Sequence, residues 1–62
     1  MKEKILEILK EETKGQSINE INNKLHLRGM EEITELENTL KELVSDGILH
    51  MSKNREYMLM NN

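Results

Sequence analysis

Apolar residues recur at three- and four-residue spacing as far as Val44 and at every second residue from Leu49 onward, so the chain changes period once. Ile5, Leu6, Ile8 and Leu9 stand close together among good helix formers and predict an amphipathic helix over 2–13, ended by Gly15. In "SINE", Ser17 lies three residues before Glu20. The Ser17 hydroxyl can accept from the Glu20 amide while the carboxylate reaches back, which is a capping box. It opens a second helix over 18–26 whose inner face carries Ile18, Ile21 and Leu25. "LHLRGM", with Gly29, is too short for another element and reads as a turn. Ile33, Leu36, Leu40, Leu43 and Val44 then predict a third helix over 31–46. Glu31 and Glu32 sit at its positive dipole end, and Gly47 supplies a left-handed stop.

Beyond Gly47 the alternation predicts a hairpin over 48–60. Leu49 and Met51 share one face, Tyr57 and Leu59 one face of the next strand, and "SKNR" turns between them. That pattern assigns Met51, Tyr57 and Leu59 to closing the core and turns Met58 and Met60 the other way. The expected fold is α+β, mainly α: a winged helix-turn-helix of three helices followed by a two-stranded β-hairpin wing, in one domain over 1–62. There is no proline, repeat or low-complexity run to mark an internal boundary.

Composition narrows the function classes. A chain of 62 residues buries only about 60% of its unfolded surface, which leaves a small core and little room for an elaborate cleft. The absence of cysteine rules out disulfides and thiolate metal sites and fits a reducing compartment. Glu7 and Lys10 interrupt the first apolar stretch, so it is neither a secretory segment nor a membrane span; no membrane contact and a cytoplasmic location are expected. The net charge of −3 is uneven: zero over 1–14, +1 over 15–29, −5 over 30–46 and +1 over 47–62. A polyanion should avoid the third helix.

The chain offers little catalytic chemistry. His26 and His50 fall in a turn and a strand with no paired spacing, so half-buried or surface roles outweigh metal binding. The carboxylates of the third helix are spread round it and read as a solvated face. Ser17, Ser45 and Ser52 have no histidine placed by sequence to activate them, and three glycines form no phosphate loop. No catalytic residue, metal ligand or cofactor is therefore expected in these residues. The methionines of the hairpin read first as packing, with Met58 and Met60 as a contact surface for a neighbouring domain if exposed.

For nucleic acid the candidates are Lys53, Asn54 and Arg55 at the wing tip, Lys24 and Arg28 at the end of the second helix, and Lys2 or Lys4 near the N-terminus. So few phosphate contacts predict weak, strongly salt-dependent binding. The helix that would enter a DNA major groove is the acidic one, which disfavours sequence-specific DNA binding in the usual pose. Tyr57, the only aromatic residue, points toward the core and is a poor stacking platform.

The run "LHLRGMEEITELENTLKELVSDGILHMSKNREYML" resembles the N-terminal winged-helix domain of ribonuclease R, a family of bacterial processive 3′-to-5′ exoribonucleases. The resemblance rests on Leu25-His26-Leu27 before the turn, leucines through an acidic third helix, Asp46-Gly47, the basic Lys53-Asn54-Arg55, and the closing Tyr57 and Leu59; "EKILEILKEE" and "SINEI" extend it over essentially the whole chain. Asn54 stands where a second basic residue is common in that family, which implies a less cationic wing. The resemblance implies a hydrolase in which this domain precedes cold-shock-type RNA-binding domains and a catalytic domain with aspartate-held magnesium, none of it within these residues. It also implies a chain continuing past Asn62, and an accessory role in engaging or opening structured RNA, or in contacting protein partners and other domains of the parent chain. The domain itself is expected to be a monomer. Two further readings stand beside this one: a docking module using the acidic helix with Met58 and Met60, and a stand-alone winged-helix DNA-binding regulator.

Overall fold

Three helices and three short strands follow one another in a computed structural model that describes residues 1–12 and 14–60. They are α1 (Lys2–Glu11), β1 (Gln16–Ser17), α2 (Ile18–Leu25), α3 (Met30–Ser45), β2 (Leu49–Met51) and β3 (Glu56–Leu59). The fold is α+β and mainly helical, consistent in general layout with a winged helix.

The helices form where the apolar stripe demands it. Ile5 and Leu9 of α1, Ile21 of α2, and Leu36, Leu40 and Leu43 of α3 are buried together with Leu49 of β2. Each fully buried leucine or isoleucine stabilises the fold by about 1.5–3 kcal/mol relative to exposure. The α3 positions are spaced at four and three residues, one line down one face, so a single helix contributes three of the seven buried core side chains among the described residues.

The helix ends differ from the expected ones for local reasons. α1 stops at Glu11, because Glu12 is already extended (φ −91°, ψ 130°) although its amide still donates to the Ile8 carbonyl. The expected end at residue 13 lies outside the described residues, and Gly15 is not the stop. α2 ends at Leu25 because His26 is left-handed (φ 59°, ψ 38°); the His26 and Leu27 amides both turn back to the Asn22 carbonyl, and Leu27 packs against the core. α3 begins at Met30, one residue early, with Gly29 as N-cap and the Glu32 carboxylate reaching back toward the Arg28 and Gly29 amides at 3.4 and 3.5 Å. It ends as expected: Gly47 is left-handed (φ 78°), and the Ile48 amide donates to the Leu43 carbonyl. The capping box at α2 is present, with Glu20 N–H donating to Ser17 Oγ at 3.2 Å and Ser17 N–H to Glu20 Oε1 at 2.8 Å.

The sheet has three strands, not two. β1 pairs antiparallel with β3 (Gln16 opposite Tyr57, Ser17 opposite Glu56), and β2 with the other edge of β3 (Leu49 opposite Leu59, Met51 opposite Tyr57), in the order β1-β3-β2. β1 ties the start of α2 to the wing. Gln16 is buried, and its side-chain amide donates to the Gly15 carbonyl at 3.2 Å, fixing the chain as it enters the strand.

Met51 does not close the core. It is 44% exposed while Leu49 is 1% exposed. Both lie on the face that alternation assigns inward, but Met51 stands nearer the turn on the edge strand β2, whereas its partner Tyr57, on the central strand β3, packs against the core.

Candidate nucleic-acid interface

The wing tip is a three-residue turn built by Ser52. The Ser52 amide donates to the Glu56 carbonyl at 2.9 Å and the Arg55 amide to the Ser52 carbonyl at 3.0 Å, while Ser52 Oγ accepts from the Asn54 and Glu56 amides at 3.2 and 3.3 Å. Arg55 closes the turn in the left-handed region (φ 63°), the place where such three-residue loops usually carry glycine or asparagine. The left-handed conformation costs a residue with a Cβ about 1–2 kcal/mol. Lys53, Asn54 and Arg55 are all exposed, and neither cation has an ion-pair partner among the described residues. The turn therefore projects two free cations and an amide from a locally braced loop.

Of the other candidate cations, Lys2 and Lys24 are paired, whereas Lys4 and Arg28 are exposed with no ion-pair partner among the described residues. Lys24 Nζ is 3.0 Å from Glu12 Oε2, so its charge is matched within the fold. Lys2 Nζ pairs with Glu42 Oε1 at 3.2 Å. Both pairs are exposed and worth about 0–1 kcal/mol in stability, but they remove two lysines from the pool available to a polyanion. Arg28 is exposed in the turn before α3, beside the first-turn acids Glu31 and Glu32. Lys24 and Arg28 lie at the C-terminal end of α2, whereas β1 fastens the wing to its N-terminal end, about 12 Å away along an eight-residue helix. The structure does not gather the five residues into one patch: Lys53, Asn54 and Arg55 stand together, and Lys24 and Arg28 stand apart.

The outward face of α3 is acidic. Glu31, Thr34, Glu35, Asn38, Lys41 and Glu42 share it, opposite the Leu36-Leu40-Leu43 stripe. Glu42 is matched by Lys2, which leaves Glu31 and Glu35 beside Lys41, so this face carries no excess of positive charge where a major-groove reader would need to meet phosphate.

His26 and His50 are exposed and well separated along the chain, and no group of three or more potential ligands capable of holding a metal occurs among the described residues. None of the described helices is long and apolar enough to cross a membrane. Met51, Met58 and Met60 are 44, 39 and 56% exposed, so the hairpin methionines are surface groups and not the packing residues their spacing suggests. No known family model and no curated protein sequence matches the chain.

Proposed function

We propose that this chain is a winged-helix accessory domain of a ribonuclease R-like 3′-to-5′ exoribonuclease, engaging structured RNA through weak phosphate contacts at Lys53 and Arg55, with Asn54 between them. The observation that carries this reading is the wing tip, where a serine-braced turn presents two cations with no ion-pair partner among the described residues. Each neutralises one phosphate, so binding is weak and falls steeply with salt. The acidic outer face of α3 argues against a DNA-binding regulator. Lys24 is at most a secondary contact, because Glu12 must release it first.

Titration of the chain with duplex-containing RNA at low salt tests the reading. Amide shifts confined to residues 50–58 are the expected result, and an unchanged spectrum removes direct binding. In the parent enzyme, removal of residues 1–62 should slow decay of structured RNA more than of unstructured RNA. A second reading, interdomain docking, is favoured by the exposure of Met58 and Met60. It predicts that Lys53→Glu leaves RNA turnover untouched while charge reversal at Glu35 disrupts assembly.

A further inference from the structure

An apolar groove of about 660 Å³ runs between α1 and the base of the β2–β3 hairpin, lined by Leu6, Ile48, Leu59 and Met60 and walled along α1 by Glu3, Glu7 and Lys10. Ile48 is 41% and Met60 56% exposed, and the Met60 amide donates to the Ile48 carbonyl at 3.0 Å, so the two stand side by side at the groove. Glu3, Leu6, Glu7 and Lys10 follow helical spacing and share one stripe of α1. Neither Glu3, Glu7 nor Lys10 has an ion-pair partner among the described residues. We propose that this groove receives a second copy of the chain, the two α1 helices lying antiparallel about a two-fold axis.

The order of charges along the stripe selects that occupant. A two-fold axis passing between Leu6 and Glu7 sets Glu3 against Lys10 of the second copy and Lys10 against its Glu3, while each Leu6 packs on the aliphatic stem of the opposing Glu7. The end charges of the stripe are thus complementary to their own reverse, while the two Glu7 carboxylates flank the axis and turn to solvent. A purely cationic segment would face Lys10 as a like charge, and RNA would meet Glu3 and Glu7. A ten-residue helix offers only about 15 Å of contact length, so the association is weak, with a dissociation constant on the order of 0.1–1 mM. This departs from the monomer expected from sequence, and it is independent of the RNA reading because no wing-tip residue lines the groove.

Sedimentation of the 62-residue chain from about 10 μM to 1 mM tests the proposal. The weight-average mass should climb from 7.3 kDa toward twice that value. Lys10→Glu and Glu3→Lys should each weaken the dimer by at least about tenfold, because each sets like charges opposite one another twice, and Glu3→Lys/Lys10→Glu should restore it. Ile48→Ser should weaken it without a change in charge. Far-UV circular dichroism checks that each variant is folded. A mass of 7.3 kDa at every concentration overturns the proposal; so does a dimer indifferent to both reversals, or a double variant that fails to recover.

Discussion

Gly15 lies against Glu56 so closely that a β-carbon added to it would stand 2.9 Å from the Glu56 Cβ. The approach follows from the short strand β1, whose pairing of Ser17 with Glu56 and Gln16 with Tyr57 draws the preceding residue onto the face of β3. Gly15→Ala should therefore push β1 outward and destabilise the domain by about 1–3 kcal/mol, the range for overpacking. Glu56→Ala should not relieve the effect, since alanine keeps the offending Cβ, whereas Glu56→Gly should remove most of the added cost. Urea denaturation of the four combinations as a double-mutant cycle reads the coupling. Additive effects in the Gly15→Ala/Glu56→Gly pair would show that the contact is not what requires glycine.

The end of α2 gives a stabilising substitution. His26 holds a left-handed backbone (φ 59°) at the position where helices most often place glycine, and its side chain is exposed. His26→Gly should raise stability by about 0.5–1 kcal/mol, the relief of the Cβ clash exceeding the extra entropy of an unfolded glycine. For a domain of this size that is a rise in melting temperature of about 4–8 °C. His26→Ala, which retains the Cβ, should give no such gain. A thermal melt of the two variants side by side decides the matter.

The helical part of the fold was legible in the sequence because its evidence is local: the leucines of α3, the Ser17–Glu20 box and Gly47 all act within one or two turns. The wing-tip residues were legible for the same reason, being a short turn between alternating strands. What escaped depended on residues far apart in the chain. β1 is two residues long with no apolar alternation, and only its pairing with Tyr57 and Glu56 makes it a strand. Lys24 looked free until the fold brought Glu12 to it. Alternation assigned Met51 a face, but it cannot say how far the core extends beneath that face.

Leu49 and Met51 make that last point measurable. Both are β2 residues with the same nominal facing, yet one is buried and the other is not. Leu49→Ala should cost about 2–5 kcal/mol, comparable with the roughly 3–5 kcal/mol that a core of this size supplies, so the variant should be largely unfolded at 25 °C. Met51→Ala should change stability by less than about 1 kcal/mol. Circular dichroism melts of the two proteins should differ plainly; similar losses in both would mean that Met51 packs inside.

Arg55 ties wing geometry to function, because the residue proposed to contact phosphate is also the one held in an unfavourable backbone conformation. Arg55→Gly should therefore stabilise the chain by about 0.5–1 kcal/mol while weakening RNA binding, so that stability and affinity move in opposite directions. Loss of one phosphate contact should also flatten the dependence of log K on log salt by about 0.7–0.9. Lys53→Gln should flatten it equally with little change in stability, and Lys24→Gln, whose lysine is matched by Glu12, should leave the slope nearly unchanged. Fluorescence titration of a duplex-containing RNA at several salt concentrations, alongside urea melts of the same variants, measures both quantities. An Arg55→Gly protein that gains stability but binds RNA with the original slope would remove the wing tip from the contact, and a Lys24→Gln slope change would move the contact to the far end of α2.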